Sequence, residues 1–443
     1  MRRLSWNLSC LFSSEEEFLK KAKTYCESSV ASLHKDDLFE IEKILVYSNL
    51  LSYRQNNFDF TSTLHEIYCK LYEKNYNIQF KKNDFLLQNY INTYAELKNI
   101  NGVFRNHISS LSEYSKILQC SRNFAYNREI YRKYSQKVLK KRSESIWKSV
   151  KLLEEDKFPY MDIVDDILSI ISKEKKLIKN IILKRQNYLK LSNMYFSDMF
   201  FECNSQISVD INTLYEGMSS ILDKKNMEIV NKIFNDGWIE ISEELDQNLT
   251  IFSNIVHPFI LTNFNGNLST GLALVHEIGH VLQDEYDVRN EIYDEITSIT
   301  LELLIYKYLE KSKKNCIYKF LANERCILDI IKILLKIKIK NFIFCKNGRN
   351  LSDVNFYWES IFQDMFYDNK VKKIDEDLYQ WINIDFSIPI SQDFAYLIGT
   401  CSGLCVYYDE YLISELLDKA NKIDIKEFST ELENSVEKII KRI

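Results

Sequence analysis

A mainly helical fold is predicted for this chain from three observations: few breakers, long runs of helix-forming residues, and apolar positions that recur at helical spacing. Nine glycines and three prolines in 443 residues leave little to interrupt a helix. Lys, Glu, Leu and Ile fill long stretches, and from Ser14 to about Lys190 the apolar residues keep one helical face. Hydrophobic residues make up 46% of the chain and aromatic residues 13%, enough to bury a large core in two or more subdomains around one site. An N-terminal helical subdomain is placed at 1–190 and a second, site-bearing subdomain at 191–443.

Charge and composition exclude several classes of function. Net charge is −5 with both signs interspersed, so no basic stripe points to nucleic acid, and the run Lys137 to Arg142 reads as a solvated helix face. The apolar segment Ile330 to Phe344 carries Lys332, Lys336, Lys338 and Lys340, which a membrane span would have to hide, so no membrane partner is expected. Positive charge at Arg2 and Arg3 is followed within a few residues by Ser13-Ser14-Glu15-Glu16-Glu17, with no continuous apolar stretch between, and no signal peptide is read. Ten cysteines are scattered without a CxxC, which fits reduced thiols and a cytoplasmic location. Oligomeric state is not legible.

The helical N-terminal half shows few turn signals other than Asn99-Ile100-Asn101-Gly102 and Phe158-Pro159. Short strands are predicted at Gly237-Trp238-Ile239-Glu240-Ile241 and from His257 to Phe264. Pro258 cannot donate to a ladder, so the second strand is expected at a sheet edge. Asn265-Gly266-Asn267 then turns the chain, and Asn267, Ser269 or Thr270 can cap the next helix.

That helix contains Val275-His276-Glu277-Ile278-Gly279-His280. Histidines four apart lie one turn above each other, so both imidazoles can reach one metal ion. Glu277 points toward the place of an attacking water and can serve as general base. A chance HExxH on an ordinary amphipathic helix is the bland alternative, but an apolar run is a costly place for unpaired polar side chains. Imidazole suits zinc better than magnesium or calcium, so one zinc ion per chain is expected. A second helix is predicted from about Glu291 to Leu309; folded back about Asp287 and Val288, it sets Glu295 opposite His280 as the third ligand. Glu302, seven residues on, comes within reach of His276 as an outer hydrogen-bond partner, with a solvated carboxylate as the equal alternative. Cys401 and Cys405, also four apart, read as buried helix cysteines.

These residues resemble the oligoendopeptidase F and thimet oligopeptidase family of zinc peptidases. The stretch HPFILTNFNGNLSTGLALVHEIGH, His257 to His280, is similar to the family's strand, turn and HExGH helix, and Glu295-Ile296-Thr297-Ser298 with Glu302 resembles its third-ligand helix. Weaker likeness extends to Trp6-Asn7-Leu8-Ser9 and to Phe234 through Ile239. The resemblance implies a helical zincin with a deep substrate channel and a small β-sheet beside the HExxH helix. It implies hydrolysis of peptide bonds in short unfolded peptides, with Phe259, Ile260, Leu261, Thr262, Asn263 and Phe264 pairing with the substrate backbone. The family's oxyanion-stabilising segment corresponds to Trp381 through Leu404, where Phe386 stands at the family histidine and Ile398 at its tyrosine, leaving Tyr396 as the nearest phenol. A peptidase dedicated to one peptide, such as a leader, and a noncatalytic zinc- and peptide-binding relative remain alternatives.

Overall fold

A computed structural model describes residues 6–27, 37–55, 122–135, 158–242, 248–252, 256–284, 291–344, 350–366, 370–384, 388–409, 411–422 and 424–443, with single positions between them. The turn expected at 99–102, most of the basic run at 137–142 and the connection at 285–290 lie outside these residues. Two compact units divide the chain otherwise than at residue 190: Met1–Asn101 with Leu222–Asn265, and Gly102–Ile221 with Gly266–Ile443. Each unit is assembled from two separate segments, a long-range pairing that periodicity along the chain does not encode.

In the first unit, helices α1 (Glu15–Glu27), α2 (Asp37–Gln55) and α3 (Lys224–Asn235) accompany a three-stranded sheet of β1 (Ile239–Ile241), β2 (Leu249–Ile251) and β3 (Phe259–Thr262). Ser14 caps α1 through its side chain, which accepts from the Glu17 amide at 3.2 Å. Phe12, Phe18, Ile44, Leu45, Phe259 and Leu261 share one apolar core. Trp6 ties the N-terminal segment to the sheet, its indole N–H donating 2.9 Å to the Ile260 carbonyl and its ring lying edge-on to Phe259.

The sheet corrects one expectation. β3 is the central strand, parallel to β1 and antiparallel to β2, and is not an edge. Pro258 falls one residue before β3, where its missing N–H costs no ladder bond. The backbone of Phe259 to Thr262 is therefore engaged on both sides, and an extended peptide adding to this sheet would need β1 or β2 instead. The three-residue β2 escapes a sequence reading because so short a run carries too little alternation to be seen.

In the second unit the motif helix α4 (Leu268–Asp284), α5 (Ile296–Lys313), the long α6 (Ile317–Phe344), α7 (Ile390–Tyr407) and α8 (Ile425–Ile440) pack together. Gly266 turns the chain with φ 88°, and Asn267 caps α4 by accepting from the Thr270 amide at 2.9 Å. Every residue from Ile296 to Leu303 on α5 is buried, as is every residue from Leu397 to Tyr407 on α7, so neither helix has a polar face and both are central. α5 begins later than the sequence suggests: Glu291–Tyr293 form one 3-10 turn and Glu295 is the residue preceding the helix.

Four of the nine glycines, Gly271, Gly279, Gly399 and Gly403, lie on α4 and α7. Gly279 is needed where α4 meets α5, because an added Cβ would lie 2.4 Å from Ser298 Cα. The N-terminal end of α7 is anchored by Lys340, whose buried ammonium donates to Asp393 at 2.5 Å and to the Ile388 carbonyl at 2.7 Å. The lysine that argued against a membrane span is thus buried in a charge pair, a geometry in which loss of one partner strands the other. No helix among the described residues is long and apolar enough to cross a membrane. No disulfide joins the described cysteines, and Cys401 and Cys405 are buried on α7.

Candidate metal centre

Helix α4 presents His276 and His280 one turn apart, and the chain entering α5 presents Glu295 to both. The Nε2 atoms of the two histidines are 3.1 Å apart. Glu295 Oε2 lies 3.2 Å from His276 Nε2 and 3.9 Å from His280 Nε2. Ligands held about 2.0–2.1 Å from a tetrahedral ion stand about 3.3 Å from one another, and the circle through these three atoms has a radius of about 2.0 Å. The donor set therefore fits one small divalent cation. Two further observations agree: Glu295 Oε2 is buried without a well-formed hydrogen bond, and two imidazole nitrogens aim at the same point.

The remaining atoms of these side chains are fixed from behind. Glu302 Oε1 lies 2.8 Å from His276 Nδ1 and, as an ionised carboxylate can only accept, Nδ1 carries a proton, which leaves Nε2 as the atom available to a metal ion. The outer oxygen of Glu302, itself buried, pairs with Arg325 from α6. The backbone of Asp294 acts on the His280 imidazole and favours its protonated form. Gln283, one turn beyond His280, donates 2.9 Å to the Tyr293 carbonyl and accepts from the Thr297 amide at 3.1 Å, bracing the approach to Glu295.

Burial depresses the His280 imidazole, as expected for a cation removed from water. Burial would also depress His276, but its hydrogen bonds with Glu295 and Glu302 prevail and raise it. For Glu295 burial works upward, and the neighbouring histidines outweigh it to hold the carboxyl below its ordinary value. Two carboxylates converging on one imidazole favour positive charge at that point, which suits a cation.

Glu277 is buried on α4, next to His276. Tyr396 on α7 reaches the same place: its ring lies parallel to that of His276 with centroids 6.4 Å apart, and its hydroxyl adds to the influences that hold the Glu295 carboxyl low. Burial, followed by the charges of Glu295 and Glu277, pushes the Tyr396 phenol well above its ordinary value, so it remains a donor across the physiological range. Phe386 is elsewhere, edge-on to Trp381 and Phe344 in an aromatic cluster. Ile398 is fully buried on α7.

Two contributors were not anticipated from sequence. Arg325 is one, since nothing local marks a residue that arrives from another helix. Gly399 is the other: an added Cβ would lie 2.7 Å from both Cβ and the carbonyl oxygen of Glu295, so α7 touches the backbone of Glu295. A glycine in a long apolar helix of a glycine-poor chain was the available signal.

The chain is 32% identical over 108 residues to the oligoendopeptidase F homolog of Mycoplasma genitalium, a match covering 21% of this chain and 18% of that relative. The fold of a candidate peptidase from Chlamydophila abortus, known from a crystal structure, superposes with a TM-score of 0.63 at 13% identity, covering 99% of this chain and 97% of that one. This chain shares the oligoendopeptidase F fold. Oligoendopeptidase-F from Enterococcus faecium superposes with a TM-score of 0.51 at 12% identity, over 97% of this chain and 98% of its own. No family model matches the chain. The oligoendopeptidase F likeness is thus local in sequence and chain-wide in fold, and the mainly helical architecture with a small sheet agrees with it.

Proposed function

We propose that this chain is a zinc-dependent peptidase that cleaves short unfolded peptides, with the ion held by His276, His280 and Glu295. The observation that carries this reading is the convergence of the two Nε2 atoms and Glu295 Oε2 beside a buried Glu277. When bound, zinc supplies Lewis acidity and brings the pKa of water down from 15.7 to about 7. Glu277 takes the proton of the attacking water and passes it to the departing amine. Tyr396, kept protonated, gives a hydrogen bond to the oxyanion that forms on the scissile carbonyl. Glu302 holds His276 in one tautomer throughout.

Tyr396→Phe removes only the hydroxyl. It is expected to lower kcat by on the order of 10²-fold with little change in KM, measured on a fluorogenic peptide. An unchanged kcat assigns oxyanion stabilisation to another group.

A peptide mixture read by mass spectrometry tests the activity itself. Cleavage is expected, lost on chelation and restored by zinc; cleavage indifferent to chelators contradicts the reading. Phe386 favours a narrower enzyme as the second reading, since no histidine stands at that position and the phenylalanine is buried away from the centre. Cuts after many different side chains mark a general oligopeptidase, and a single cut site marks a dedicated one.

A further inference from the structure

The carboxylate behind His276 depends on a charge that the motif does not contain. Glu302 is 2% exposed, and a buried carboxylate with one hydrogen bond would be free to rotate or to be replaced by water at considerable cost. Its two oxygens instead have separate partners: Oε1 accepts from His276 Nδ1, and Oε2 is paired with the Arg325 guanidinium. Arg325 is itself positioned from one turn further along α6, where Asp329 lies 3.6 Å from its Nε. Asp329, Arg325, Glu302 and His276 thus form a continuous line of paired side chains from α6 through α5 to the proposed metal ligand on α4.

We propose that Arg325 is a positioning residue for metal binding: by fixing the outer oxygen of Glu302 it holds the inner one on His276 Nδ1 and keeps Nε2 aimed at the ion. The inference rests on the zinc peptidase reading and adds to it a residue outside both the HExxH helix and the third-ligand segment. Arginine suits the role better than lysine, because a planar fork can grip one carboxylate oxygen and one neighbouring aspartate together without rotating. Outer partners of metal ligands typically contribute 10- to 100-fold to metal affinity. A purely structural ion pair would affect folding and leave His276 as it is.

The test uses the full chain as the parent, Arg325→Met and Arg325→Lys. Zinc affinity is read by competition with a chromogenic chelator, and the histidine tautomers of the metal-free proteins are read by long-range ¹H–¹⁵N spectra, with His276 assigned through His276→Gln. Arg325→Met is expected to weaken zinc binding 10- to 100-fold and to reduce the Nδ1–H tautomer of His276, and Arg325→Lys to recover part of both. Parent-like affinity and tautomer in Arg325→Met overturn the proposal while leaving the peptidase reading intact. A weakened zinc affinity in Arg325→Met with the His276 spectrum unchanged also overturns it, because the effect would then not pass through His276. A parent that binds no zinc overturns both, whereas a zinc-binding parent with an indistinguishable Arg325→Met overturns the positioning role alone.

Discussion

Replacing Glu277 by Gln is expected to lower kcat for peptide hydrolysis by about 10²- to 10⁴-fold while zinc remains bound. The substitution keeps the size and the hydrogen-bonding reach of a side chain that is only 7% exposed, so packing around α4 should hold. What disappears is the capacity to take a proton. Retention of zinc is expected because the proposed ligands, His276, His280 and Glu295, are unaltered. Steady-state kinetics together with metal analysis read the two halves of this expectation separately. A parent-like rate would remove Glu277 from the mechanism; loss of zinc would instead show that Glu277 supports the ligands.

The second large effect is expected from Gly399→Ala, a substitution that adds one methyl group far along the chain from the HExxH motif. The methyl carbon would meet the Glu295 carbonyl oxygen at 2.7 Å and its carbonyl carbon at 2.8 Å. These are backbone atoms, which cannot swing aside as a side chain can. Either α7 retreats, withdrawing Tyr396, or the segment before α5 retreats, withdrawing Glu295. Overpacking of this kind costs about 1–3 kcal/mol of stability. The consequence that marks the site is a fall in zinc affinity of at least about tenfold, because a ligand displaced by a few tenths of an ångström loses its fixed geometry. Gly403→Ala, on the same helix, is the control: its nearest contact would be the Leu303 Cδ1 methyl at 3.0 Å, a side-chain end that can move. Chelator competition and thermal denaturation on both variants check the contrast, and equal zinc affinities would refute it.

The centre was legible in the sequence where its logic is local. His276 and His280 are related by one helical turn, and that spacing appears in any sequence that contains it. Glu295 was accessible one step further out, because a helix folded back after a short connection places opposed residues at equal distances from the turn. Its position just before α5, and not within the helix, was not readable, since the 3-10 turn at Glu291–Tyr293 preserves the apolar pattern. Pro258 alone suggests an edge for β3, but the proline falls outside the ladder and a three-residue β2 closes the other side. Arg325 and Gly399 could not be placed, because each acts through a contact between helices far apart in the chain. The division into two discontinuous units was hidden for the same reason. Periodicity along a chain reports which face is buried and says nothing of which helix buries it.

The most direct test of the account is zinc-edge X-ray absorption on the zinc-loaded full chain, with stoichiometry from elemental analysis. Convergence of His276, His280 and Glu295 predicts one zinc per chain, two imidazoles in the scattering pattern, and a shell of nitrogen and oxygen at about 2.0–2.1 Å without sulfur. It also predicts that Glu295→Ala removes one light atom from the shell that binds the metal most tightly and weakens retention of the ion. A sulfur shell at about 2.3 Å, or zinc bound as tightly after His280→Ala as before, would contradict the assignment of these three side chains to a metal.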